Sequence, residues 1–282
     1  TQVFGDSAQI YQNREYVVFR GNVKVVDGTT VMRGTEASYD RKQRLAVLRG
    51  DVRIQDGGTE ITGQEATFDR NRNLSIITGN PMLRDSVRTL HADRLEYDRG
   101  RDVVTAIGNV DAEDRAESTR VRAGRLRYDR RADFAWAEES PRLTLMEAGG
   151  HATEIRADSL RFDNARSRVH AIGDVRIDRD SLRATCGRAS FFRNEDRAIL
   201  LDEPRAVSPE GLARGDSMEV RFRGGKIASL QMRPHASVEY EERADSARGE
   251  RNTVTGDTIT LFLEDDRARE AFIVGNAKSL YW

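Results

Sequence analysis

Thr59-Glu-Ile-Thr-Gly-Gln-Glu-Ala-Thr-Phe68-Asp-Arg-Asn-Arg-Asn-Leu74-Ser-Ile-Ile-Thr78-Gly-Asn-Pro-Met-Leu83 decides the fold. Residues 59–68 are β-compatible, residues 69–73 form a polar turn opened by Asp69, and residues 74–83 are an apolar, β-branched return strand. An aspartate opens such a turn because its carboxylate caps nearby backbone N–H groups. Two strands joined by a five-residue polar loop make an antiparallel hairpin.

The pattern recurs almost end to end. Its outward strand reads apolar–x–small–x–x–apolar–x–aromatic or aliphatic, as in Met32/Gly34/Ala37/Tyr39, Leu90/Ala92/Leu95/Tyr97 and Ile155/Ala157/Leu160/Phe162. The return strand carries Gly21-Asn22-Val23, Gly50-Asp51-Val52, Gly79-Asn80-Pro81, Gly108-Asn109-Val110 and Gly173-Asp174-Val175, the first four spaced by 29 residues. Weaker forms stand at Ser140-Pro141, Glu203-Pro204, Arg233-Pro234 and Gly275-Asn276-Ala277. A fixed period near 30 means a one-dimensional stack of supersecondary units; roughly nine hairpins predict a meander of about 17–18 strands.

Both strands break their two-residue alternation. Leu90 and Ala92 share one parity and Leu95 and Tyr97 the other, so a bulge or corner must lie between if both halves face one interior. The Gly-Asn and Gly-Asp pairs occupy the matching place on the return strand, where positive φ is tolerated. Pro81, Pro141, Pro204 and Pro234 are expected just after this corner, outside regular ladder positions. The fold expected is all-β, an elongated jelly roll or V-shaped trough of bent antiparallel strands, about 80–85 Å long at ~4.8 Å per strand.

Its interior and candidate ligand groove comprise Met32, Ala37, Tyr39, Leu48, Val52, Ile54, Ile61, Phe68, Ile77, Leu83, Leu95, Tyr97, Val110, Leu126, Tyr128, Leu160 and Phe162. Both ends of a meander expose unpaired backbone, which favours pairing with another sheet. The candidate partner edges are the first strand, with Val3, Gly5, Ala8 and Ile10, and the last, with Ile273, Ala277 and Tyr281.

Composition narrows function. Net charge is -1, so the summed field gives no reason to expect nucleic acid as a bulk partner. Cys186 is the single cysteine and sits at a small position of its repeat, as a packed residue. His91, His151, His170 and His235 have no metal-binding spacing. The periodic Asp40, Asp69, Asp98, Asp129 and Asp163 are turn openers rather than a unique catalytic pair. No cofactor, metal or enzymatic activity is expected. The chain starts at Thr1 without a leader pattern, as a mature or trimmed form does, and its last residues, Leu280-Tyr281-Trp282, stop inside an apolar alternation from which the full protein is expected to continue.

The Gly-Asn-Val corner and the strand end Ala92-Asp93-Arg94-Leu95-Glu96-Tyr97-Asp98, repeated at Ala157-Asp158-Ser159-Leu160-Arg161-Phe162-Asp163, resemble the OstA/LptA-like repeat of lipopolysaccharide transport. The likeness covers nearly all of the chain as one continuous domain over 1–282, interrupted by a charged insertion near 240–251. It implies a periplasmic, Gram-negative protein, outer-membrane associated where it forms part of the translocon. Lipopolysaccharide or its lipid A would lie with acyl chains in the groove, and transport proteins of the same fold, or a second copy head to tail, would join at the edges. An acyl chain of about 12–14 carbons gains on the order of 10 kcal/mol on leaving water, and nearly as much in a bilayer. The chain has no G-x-x-x-x-G-K-[ST] loop, so the slide would be passive and the ATPase a separate partner. The alternative is a structural, adhesive or polysaccharide-binding β-solenoid, marked by a filled aliphatic ladder in place of an open slot.

Overall fold

The computed structural model describes residues 1–146, 151–242, 250–264 and 267–281. Among these residues there are 28 strands, every pairing between them antiparallel, and no α-helix. The chain divides into two compact units, Thr1–Glu139 and Ser140–Trp282.

In the first unit the ladder follows chain order. β1 (Gln2–Phe4) and β2 (Ser7–Tyr11) pair with opposite halves of β3 (Tyr16–Asp27). β4 (Thr30–Asp40), β5 (Leu45–Asp56) and β6 (Thr59–Asp69) continue the meander. β7 (Leu74–Thr78) and β8 (Met82–Arg84) divide β6 between them, and pair in turn with β10 (Arg94–Asp98) and β9 (Arg88–His91). These two divide β11 (Val103–Asp114), which β12 (Thr119–Asp129) and then β13 (Phe134–Glu138) follow. Two short strands flanking a corner are therefore one bent strand, and each bent strand has a half on either side. One half runs to the turns opened by aspartate, here called the tip half; the far half runs to turns such as Gly57-Gly58.

The corners lie where the sequence pattern put them. Ladder register slips between Arg20 and Val23, Arg33 and Glu36, Arg49 and Val52, and Ile107 and Val110. Each Gly-Asn or Gly-Asp pair puts two successive residues in the left-handed region, with φ of 75° and 46° at Gly108 and Asn109. Glycine adopts that backbone without cost, and asparagine and aspartate tolerate it better than other side chains. At Gly108 and Gly21 the outward strand is tied to the corner by an aspartate, whereas Thr35 and Gln64 face Gly50 and Gly79. Asp93 N–H donates to Gly108 O at 2.9 Å, and Asn109 Nδ2 donates to the Asp93 carboxylate at 3.0 Å. Asp6 repeats the clamp on Gly21 O at 3.0 Å and Asn22 Nδ2 at 2.9 Å.

In the second unit the same corner appears at Gly173-Asp174 and Gly275-Asn276, each clamped by an aspartate, Asp158 and Asp257. Where glycine is absent the backbone turns all the same: Asp202 and Glu203 take φ of 65° and 56°, and Glu139 and Ser140 take 63° and 60°. Pro234 corrects the expectation. Asp216 N–H donates to Pro234 O at 3.1 Å and the His235 ring meets Asp216 Oδ2 at 2.8 Å, so Pro234-His235 is itself the corner pair. Ala236, buried, fills the place that Pro81, Pro141 and Pro204 fill elsewhere. The charged insertion is partly ladder, since Tyr240, Glu241 and Glu242 pair with Asn252, Arg251 and Glu250; residues 243–249 lie outside the described residues.

Candidate functional site

Alternation along bent strands lines up one apolar row in each half. In the first unit the tip-half row runs through directly opposed neighbours Phe19, Ala37, Leu48, Ala66, Ile77, Leu95, Ala106, Leu126 and Ala137. The far-half row runs Val3, Val25, Met32, Ile54, Ile61, Leu83, Leu90, Ala112 and Val121. Val23, Val52 and Val110, placed just behind the corners, join both rows into one buried cluster. The halves therefore close on each other around a continuous apolar interior.

Eight predicted groove residues lie in that cluster: Met32, Ala37, Leu48, Val52, Ile54, Ile77, Leu95 and Val110. Ile61, Phe68, Leu83 and Leu126 pack against it, half-buried. Leu160 and Phe162 belong to the second unit, where Leu160 is fully buried. There the tip-half row continues from Leu160 through Ala171, Ala189, Leu200, Met218, Met232 and Ile259 to Ile273. Its far-half row contains Leu143, Ile155, Ile177, Ala184, Ala206 and Ala213. Ala206 and Ala213 share bent strands with Leu200 and Met218, which matches small side chains to large ones.

Tyr39, Tyr97 and Tyr128 are not part of the cluster. They share the inner face, two residues nearer the tips, with Phe68, and alternate across the ladder with Ala46, Ser75 and Val104. A phenol cannot be buried without a partner. Tyr97 and Tyr128 accordingly donate to Asp102 Oδ1 at 2.9 Å and Asp133 Oδ1 at 2.8 Å. Burial and then those acceptor carboxylates hold both phenols above the usual tyrosine range, so they stay neutral donors. Over three rings lies an arginine from the next turn, its Cζ 6.0 Å from the centroid: Arg70 over Tyr39, Arg99 over Phe68 and Arg130 over Tyr97. The aromatics thus form a rim, with apolar bodies inward and polar groups at the tips.

Of the predicted edge residues, Val3 packs against the cluster, whereas Gly5, Ala8 and Ile10 are exposed, Ile10 by 71%. At the other end Ile273 is half-buried against Ile259 and Ala277 is exposed. Tyr281 pairs with Asn252 through the backbone, and its side chain lies outside the described residues. Phe272, Val274 and Leu280 add exposed apolar surface there. Leu90, Met218 and Ile259 are apolar positions of the repeat that the predicted groove left out, and Val25 and Met232 went unnamed, although Val25 shares the parity of Val23.

Cys186 is buried, and burial pushes its thiol up to about 12. Two histidines pair with carboxylates, His151 with Asp180 and His235 with Asp216. His170 meets Ser190 Oγ at 2.9 Å.

Residues 1–75 match the family model described as OstA-like protein. Among solved structures the chain is similar to LptH of Pseudomonas aeruginosa, the LptA-homologous periplasmic component of its lipopolysaccharide transport device. Identity there is 20%, the match covers 38% of this chain and 81% of LptH, and the TM-score is 0.35. No curated protein matches the chain.

Proposed function

We propose that this protein is a non-enzymatic lipid carrier that passes lipopolysaccharide across the periplasm toward the outer membrane. The acyl chains lie between the two apolar rows, and the saccharide and phosphates stay at the open side. The observation that carries this reading is the unbroken pairing of apolar residues across successive strands, from Val3 to Val121 in the far half of the first unit. A globular core needs a cluster; a row that repeats strand after strand suits a cargo moving along it. Neighbours of the same fold, or a second copy head to tail, pair with the exposed backbone of β1 and β2 or of the strands Arg267–Val274 and Lys278–Tyr281. Energy comes from a separate ATPase.

One observation favours the structural solenoid instead. Leu48, Val52 and Ala66 are almost wholly inaccessible, so the rows already fill each other. The test is a photo-crosslinking residue at half-buried Leu83, on the inner face, and separately at exposed Arg53, on the outer face, in a lipopolysaccharide-producing Gram-negative host. Capture of lipopolysaccharide at Leu83 and not at Arg53 is expected. Capture at neither site by folded protein, or equally at both, transfers the reading to the solenoid.

A further inference from the structure

Containment of acyl chains does not require the arginines that crown the rim. The residue after the turn-opening aspartate is arginine in four successive hairpins of the first unit: Arg41, Arg70, Arg99 and Arg130. Each is fixed by its backbone to the preceding turn. Arg41, Arg70, Arg99 and Arg130 N–H donate to Glu15, Arg44, Asn73 and Asp102 O at 3.0, 3.1, 2.9 and 3.1 Å. Hairpins recur every second strand, so these guanidinium groups recur about every 9.6 Å along the rim.

Other arginines of the same turns are neutralised locally. Arg72 pairs with Asp69 and Arg101 with Asp98, and within the series itself Arg130 pairs with Asp102. Arg41, Arg70 and Arg99 have no ion-pair partner among the described residues. Two of them rest on aromatic rings of the inner face. A guanidinium laid on a ring keeps its N–H edge free for two oxygens of one acid group. The field of Arg70 reaches Asp27, at the far-half end of β3, whose carboxyl is held below the ordinary range first by the Thr1 hydroxyl and in smaller part by Arg70.

We propose that Arg41, Arg70 and Arg99 form a headgroup rail that takes the phosphate of an anionic amphiphile whose chains lie on the apolar rows. The proposal rests on the lipid-carrier reading and adds selection by headgroup. Apolar rows alone do not distinguish one acyl chain's headgroup from another's. A guanidinium every second strand gives an acidic headgroup a new partner at each step, before it has fully left the last.

The test uses the full chain and two monomeric lipids with the same short tails, dihexanoyl phosphatidic acid and dihexanoyl phosphatidylcholine, titrated calorimetrically. The rail requires the acid to bind about tenfold more tightly at about 50 mM salt, with the ratio falling toward about twofold at about 500 mM. The double variant Arg70→Gln/Arg99→Gln is expected to lower the ratio similarly, Arg70→Lys/Arg99→Lys to retain most of it, and Arg53→Gln on the outer face to leave it unchanged. Inorganic phosphate alone is expected to compete weakly, since it lacks the tails. Equal binding of both lipids overturns the rail and leaves the groove standing. A preference that survives the double glutamine variant also overturns it, as does a variant that loses only stability. Binding of neither lipid removes the groove reading and the rail together.

Discussion

Gly108→Ala tests the corner on which everything else hangs. Gly108 has φ +75°, and a Cβ there would lie 2.2 Å from Asp93 Oδ2 and 2.9 Å from its Cγ. The left-handed backbone alone costs alanine roughly 1–2 kcal/mol. Relieving the clash displaces the Asp93 carboxylate, which gives up the bonds from Asn109 Nδ2 at 3.0 and 3.2 Å, a further loss of about 1–2 kcal/mol at an exposed site. The expected destabilisation is therefore about 2–4 kcal/mol. Gly28 supplies the comparison, because it has φ +60° and nothing within 4 Å of its would-be Cβ. Gly28→Ala is expected to lose only the backbone part, about 1 kcal/mol. Urea unfolding followed by far-ultraviolet circular dichroism reads both, provided the slopes agree. In an Asp93→Ala background the two closest atoms are gone and only the Cβ at 3.0 Å remains, so Gly108→Ala should cost little more than Gly28→Ala. Equal losses at Gly108 and Gly28 in the parent protein, or strictly additive losses in the double variant, would refute the clamp.

Ala66, fully buried between Leu48 and Ile77 across the ladder, leaves no room for a larger side chain; Ala66→Leu is expected to cost about 1–3 kcal/mol, read as a lower thermal midpoint. Asp111 is held below the ordinary carboxylate range chiefly by its hydrogen bonds from Arg120. A carboxyl whose folded pKa is depressed contributes fully above its unfolded value near 4 and loses that contribution as pH falls through the folded one. Asp111→Asn should therefore flatten the fall in stability below about pH 4 and do little to its shape near neutrality. Cys186, pushed up to about 12 by burial, should resist alkylation by iodoacetamide at neutral pH in the native protein and react fully in denaturant; rapid native labelling would show the site open.

The corner was legible in the chain because its requirement is local. A 29-residue recurrence of Gly-Asn or Gly-Asp names a position that must hold positive φ, and the ladder slips there. Asp202-Glu203 was legible only through the proline that follows it, and at Pro234 the same cue misplaced the corner, which falls on Pro234-His235 rather than before it. Strands on both sides hold them in register, and tertiary pairing there outweighs the residues' own preference. Inner-face parity put Tyr97 and Tyr128 on the correct side of the sheet but says nothing about hydroxyls. The missing signal was in view, since an aspartate follows each tyrosine by five residues, across the turn, at Asp102 and Asp133. The arginines above Tyr39, Phe68 and Tyr97 come from 31 or 33 residues later, and only the ladder brings each pair together.

A closed interior and a lipid cargo are compatible if the walls exchange partners. Burying an acyl chain's methylenes is worth about 0.8 kcal/mol each on leaving water. Between rows that already touch, the chain also replaces contacts such as those of Leu48 and Ala66 with the rest of the cluster. The walls stay dry before and after, so their own burial contributes little to the net change. What remains is the chain's transfer from another apolar phase less the work of parting the halves, and that work falls on corners whose φ values and aspartate clamps define their angle. Stiffer corners therefore weaken lipid binding, while looser ones hold cargo too well to release it. Asp93→Ala should show this directly: it removes the carboxylate half of a clamp, leaving its backbone N–H bond, without touching an apolar residue, so it should raise affinity for the neutral short-chain lipid while lowering stability. Lower affinity together with lower stability would mean that the corner serves the fold alone.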